Sequence, residues 1–154
     1  MSPLQLVSQT VENVRAMVEA MDAEMRRELS PDWLARVYGE RDVDPWTLGF
    51  VMVLSPDEKR IGTCGFKAPP DADGVVEIAY GVAPEFQGRG FATLAASALV
   101  EYAFERSQVR IVRAHTLSAS GASARVLTKC GFQLTGQVVD PEDGPVWRWE
   151  KPKP

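Results

Sequence analysis

The chain has 154 residues, 45% hydrophobic and 25% charged, the make-up of ordinary soluble globular protein with enough length to bury a core. Its formal net charge of −4, with no run of Lys and Arg, argues against a general nucleic-acid binder. Two cysteines far apart, Cys64 and Cys130, and a single histidine, His115, suggest neither a disulfide framework nor a metal site.

Met1-Ser2-Pro3-Leu4 has no basic leader. The longest apolar run, Phe91 to Val100, contains Thr93 and Ser97 and stops at Glu101, too short to span a bilayer. The expectation is one domain over 1–154, reduced and cytoplasmic, with no membrane or nucleic-acid partner.

Val11, Val14, Val18, Met21 and Met25 repeat at helical spacing and predict a helix from about residue 8 to 28. Ser30-Pro31-Asp32 reads as an N-cap with proline at the first helical position, opening a short helix that ends near Gly39. Residues 40–46 read as a polar loop containing Pro45. Trp46 to Leu54 and Ile61 to Phe66 are β-rich and joined across residues 55–59 as a hairpin. A loop over residues 68–74 leads to the strand Val75 to Val82.

A long helix then runs to about residue 106, with Phe91, Leu94, Ala95, Ala98, Leu99 and Tyr102 on its predicted inner face. Thr93, Ser97, Glu101 and Glu105 mark the outer face. Val109 to Leu117 is a β run. A short helix, Ala122 to Lys129, stops at Gly131, which suits the left-handed position after a helix. Phe132 to Val139 and Val146 to Trp149 form a last hairpin across residues 140–144. Two helices, three strands, helix, strand, helix and two strands imply an α/β fold with a mixed sheet and helices packed on it.

The segment from Val75 to Ala92 carries the most chemistry. A strand enters a turn with Gly88 and Gly90, and a helix opens at once. Two glycines let backbone approach an anion, and the unpaired N–H groups of a first helical turn point at it. Arg89 adds a charged donor beside them. A tight strand-to-helix connection also needs glycine for steric reasons alone. By period-two alternation, Glu77 shares a face with Val75, Ala79 and Gly81, small neighbours that leave room for a ligand. Glu77 is either a general base or one solvated glutamate on an outer face. Ser118, Ser120 and Ser123 surround the start of the short helix, and Ser120 is its predicted N-cap. No nucleophile elbow accompanies them, which argues against a hydrolase. A lone histidine such as His115 is more often a hydrogen-bonded structural residue than a proton carrier. The four tryptophans, with Phe50 and Phe66, are predicted to fill the core.

Taken together, several stretches resemble the GNAT superfamily of N-acetyltransferases, and within it the ribosomal-protein N-terminal acetyltransferase branch. They are residues 76–82, Gln87-Gly88-Arg89-Gly90-Phe91-Ala92-Thr93, residues 112–116, residues 123–132, and the ending 143–149. The resemblance implies a V-shaped mixed sheet of six to seven strands with helices on both faces. Two parallel strands, 75–82 and 109–117, would splay to admit the pantetheine arm of acetyl-coenzyme A. It further implies cofactor contacts at Val82, Gln87, Gly88, Arg89, Gly90, Phe91, Ala92 and Ser120, with Glu77 as base and Ser123 as the acid that protonates sulfur. The acceptor would be a protein N-terminus or a small-molecule amine, attacked in a ternary complex, and homodimers are common in this branch. Departures from the pattern are Ser120 in place of asparagine, Leu94 and Ala79 in place of glutamate and glycine, and Thr128 where many relatives carry a tyrosine acid. The first family strand would have to come from Pro3 to Val7, short or absent. The altered Ser118-to-Gly121 segment lends weight to an alternative, a non-catalytic module that binds coenzyme A.

Overall fold

The computed structural model describes residues 3–39, 43–141 and 143–154. Met1, Ser2, residues 40–42 and Glu142 lie outside them, and with them the first two residues of the sequence, part of the polar loop and the middle of the last hairpin connection. In chain order the strands are β1 (Leu4–Ser8), β2 (Phe50–Leu54), β3 (Lys59–Phe66), β4 (Val75–Val82), β5 (Ile111–Thr116), β6 (Gln133–Asp140) and β7 (Gly144–Pro152). They form one sheet in the order β1-β2-β3-β4-β5-β7-β6. The expected mixed sheet is present. Every adjacent pair is antiparallel except β4 and β5. A parallel neighbour needs a crossover, and the helix between β4 and β5 supplies it.

The helices are α1 (Val11–Ala20), α2 (Ala23–Arg27), α3 (Pro31–Val37), α4 (Pro45–Leu48), α5 (Phe91–Phe104) and α6 (Ala122–Lys129). Met52, Val76 and Ile78 point to the side of α5 and α6, where they join Leu99, Val112, Leu127 and Trp149 in the main core. Val51 and Val53 point the other way and, with Asn13, Ala16 and Met17 of α1, line a cavity of 570 Å³. Helices therefore cover both faces. Among the described residues no helix is long and apolar enough to cross a membrane.

Several elements differ from the sequence reading. The long first helix is two helices, because Met21 turns extended (ψ 147) and the Asp22 carboxylate caps a new start by accepting from Met25 N–H at 2.8 Å. The stretch at Pro45 is one helical turn, capped by Asp44 through Thr47 N–H at 2.9 Å, so Trp46 is helical and the strand begins only at Phe50. The first family strand exists: β1 pairs along all of its five residues with β2. On α5 the buried face is Ala95, Ala96, Leu99, Val100 and Ala103, and Leu94 is turned outward. Ser30 caps α3, and Gly131 takes its left-handed place after α6 (φ 89), both as the sequence predicts.

Candidate active site

β4 and β5 pair only over Val75–Glu77 against Ile111–Arg113. Beyond Glu77, β4 stays on β3 as far as Val82, while β5 stays on β7 as far as Thr116. The two strands thus part, and a cleft of 150 Å³ opens between them. Its lining includes Glu77 and Ala79 from one face of β4, and Ile78 and Tyr80 from the other, with Ala114, His115 and Ser123 opposite. Residues from both faces line it because the gap passes through the sheet.

Main-chain direction in the gap follows from the ladder. Lys67 N–H donates to Glu77 O at 2.9 Å, and Ala83 N–H to Ile61 O at 2.7 Å, so odd-numbered residues of β4 bond towards β3. Alternate residues bond to opposite sides, which turns the N–H and C=O groups of Tyr80 and Val82 into the gap. The Gln87 side chain closes the end of the strand by donating to Val82 O at 2.9 Å.

After a 3-10 turn, Pro84–Phe86, the glycine bend follows. Gly88 (φ 76) and Gly90 (φ 85) are left-handed, a conformation that disfavours any side chain. A Cβ built at either position meets nothing within 4 Å, so the bend has an open concave side. Gly90 is the N-cap of α5 and offers no side-chain acceptor. The first backbone bond into this helix is Leu94 N–H to Gly90 O at 3.1 Å. The amides of Phe91, Ala92 and Thr93 therefore have no helical acceptor and face outward with the positive end of the helix dipole. The Arg89 guanidinium lies over the Phe86 ring, 5.5 Å from its centroid. Outward amides beside an open bend are the chemistry of an anion site.

Glu77 is the centre of a charged cluster. Its Oε2 lies 2.9 Å from Lys67 Nζ and 2.9 Å from His115 Nδ1. Arg148 Nε–H donates to His115 Nε2 at 3.1 Å. Burial alone would lower the Lys67 ammonium, yet the Glu77 hydrogen bond and charge, backed by Asp140 and Asp143, hold it above the usual lysine value. On the other side of β4, burial pushes the Tyr80 phenol up to about 12, although its hydrogen bond with the Ser123 side chain works against the rise. The phenol keeps its proton at neutral pH.

The structure therefore brings Glu77 and Ser123 to one cleft, while Val82 ends the strand that borders it and residues 87–92 follow in the glycine bend and the start of α5. Ser120 is exposed on the loop before α6. It is not the N-cap, since Gly121 (φ 118) holds that place and accepts from Arg125 N–H at 3.0 Å. Its amide donates to Ser118 Oγ at 3.2 Å instead. Lys67, Tyr80 and Arg148 escaped the sequence reading, and His115 entered it as a structural residue. Their signal was the same-face position of Glu77 and His115 on two strands that only the sheet order makes neighbours. Cys64 and Cys130 are buried free thiols.

A model of the acetyltransferase (GNAT) domain matches residues 5–133. The N-acetyltransferase p20 of Bacillus licheniformis is 29% identical over 93 residues, covering 60% of this chain and 52% of that protein. The N-acetyltransferase YoaA of Bacillus subtilis is 35% identical over 79 residues, covering 51% of this chain and 45% of that protein. The aligned part thus spans about half the length of these curated relatives. Among solved structures, a spermidine N-acetyltransferase SpeG chimera from Vibrio cholerae and hSSAT superposes with TM-score 0.75 at 20% identity, covering 99% of this chain and 96% of that one. Ribosomal-protein-S5-alanine acetyltransferase from Vibrio fischeri gives 0.69 at 15% identity, covering 99% and 94%. At such identities the likeness is one of fold.

Proposed function

The chain belongs to the GNAT acetyltransferases, and from that premise we infer that it moves an acetyl group from acetyl-coenzyme A to the primary amine of a small molecule or a peptide, by direct attack with both partners bound. Acetyl-coenzyme A, when bound, supplies a thioester activated towards amines. Every other part of the chemistry would fall to side chains and amides of this chain.

The outward amides of residues 91–93, the open bend at Gly88 and Gly90, and Arg89 would hold the diphosphate. The Val82 N–H faces the gap and is the donor available to a carbonyl oxygen gaining charge. Glu77 would take the proton that the amine must lose, directly or through one water. Ser123, which lines the cleft together with Tyr80, would deliver a proton to the departing sulfur. The free core thiols accord with a reducing cytoplasm. The neighbours named for spermidine and for a ribosomal-protein alanine span both acceptor classes.

The observation that carries this reading is the parting of β4 from β5 immediately after Glu77, with the glycine cradle at the far end of the same strand. The test is release of free thiol from acetyl-coenzyme A with a panel of polyamines, small amines and N-terminal peptides. Glu77→Gln should lower kcat about 10²- to 10⁴-fold, the usual size of general-base catalysis, with coenzyme binding retained. Wild-type turnover in that variant removes Glu77 from the role. Coenzyme binding with no turnover across the whole panel would favour a non-catalytic module.

A further inference from the structure

The Glu77 cluster is more ordered than a lone base requires. A guanidinium carries donors only, so the Arg148 Nε–H that points at His115 Nε2 demands a lone pair there. The ring is then neutral with its proton on Nδ1, and that proton is donated to Glu77 Oε2. Lys67 donates to the same oxygen. Two donors on Oε2 leave Oε1 without a protein donor among the described residues. The carboxylate cannot rotate without losing both contacts.

The strands impose this alignment. His115 stands opposite Arg148 in the β5–β7 register. Two residues away on the same face, Arg113 and Glu150 pair with each other at 2.7 Å, so Glu150 does not draw Arg148 off the histidine. The side chains of His115 and Glu77 are 13% and 22% exposed, which limits competition from water.

We propose that Arg148 and His115 are positioning residues: Arg148 fixes the tautomer of His115, and His115 fixes the carboxylate of Glu77 so that Oε1 alone meets the incoming amine or its bridging water. The proposal rests on Glu77 being the base, and its test reads the relay separately from the chemistry. His115 is the only histidine in the chain, so its ring nitrogens can be read without assignment in 15N-histidine-labelled protein. The wild type should show a protonated Nδ1 and a bare Nε2. Arg148→Met should release that tautomer and lower kcat roughly ten- to a hundredfold, the size typical of partners that orient a functional group. KM for acetyl-coenzyme A should stay unchanged, and Arg148→Lys, which keeps a donor, should restore part of the loss. A thermal shift with acetyl-coenzyme A verifies that each variant is folded and binds. A wild-type ring protonated on Nε2 overturns the proposal. So does unchanged kcat in Arg148→Met when Glu77→Gln is inactive. Wild-type turnover in Glu77→Gln instead overturns the base itself, and the relay loses its task whatever the ring shows.

Discussion

Arg89 sits between two left-handed glycines, exposed, with its guanidinium over the Phe86 ring, so its charge stays at the surface beside the bend rather than in the core. A charged hydrogen bond to phosphate is worth roughly 1.5–3 kcal/mol, or about ten- to a hundredfold in affinity. Arg89→Gln is therefore expected to raise KM for acetyl-coenzyme A by about that factor, with kcat nearly unchanged, in steady-state thiol-release kinetics. An equal fall in kcat would mean that Arg89 acts on the transition state rather than in binding. At this scale the sequence was half legible. The glycine bend and Glu77 show themselves through local pattern, because a left-handed turn and a period-two face are properties of a few consecutive residues. Lys67 and His115 meet Glu77, and Arg148 meets His115, only because β3, β4, β5 and β7 lie side by side, and nothing local in the chain encodes that order.

Helix α5 illustrates how an element can be found correctly and turned wrongly. Its sequence is apolar on nearly every side, so periodicity fixes its existence and leaves its rotation to the sheet beneath it. Leu94 is 45% exposed, whereas Leu99 is fully buried in the main core. Leu94→Gln should change stability by no more than about 0.5 kcal/mol, as for other surface substitutions. Leu99→Ala should cost about 2–5 kcal/mol through lost burial and the cavity left behind. Chemical denaturation of the two variants checks the pair, and comparable losses in both would show that the helix is rotated from the orientation described. Capping explains the other misread elements. Asp22 and Asp44 each start a helix by accepting an amide three residues on; Asp22 interrupts an apolar stripe whose spacing runs on past it, and Asp44 opens a single four-residue turn too short to show helical periodicity.

Across the whole molecule, one sheet with helices on both faces leaves two thiols inside rather than at its surface. Burial pushes the Cys64 thiol from 9.0 up to about 12, and burial likewise raises Cys130. The sign of the effect follows from proton counts. Near pH 9 the unfolded chain begins to lose its thiol protons while the folded chain keeps them. Between about 9 and 12 the unfolded state therefore binds fewer protons, and stability falls as pH rises. The Tyr80 phenol, pushed from 10.0 to about 12 by burial, adds a loss of the same sign from pH 10 upward. Lys67, held above its ordinary value, does so at still higher pH. Below pH 9 these groups are protonated in both states and contribute no slope. Denaturation midpoints measured from pH 8 to pH 11 should thus decline beyond pH 9. Cys64→Ala should start from a lower stability and decline less steeply over the same range, because the variant has one ionising group fewer to release on unfolding. Parallel declines in the two proteins would mean that the Cys64 thiol is not protected by the fold, and that the sheet does not close over β3 as described.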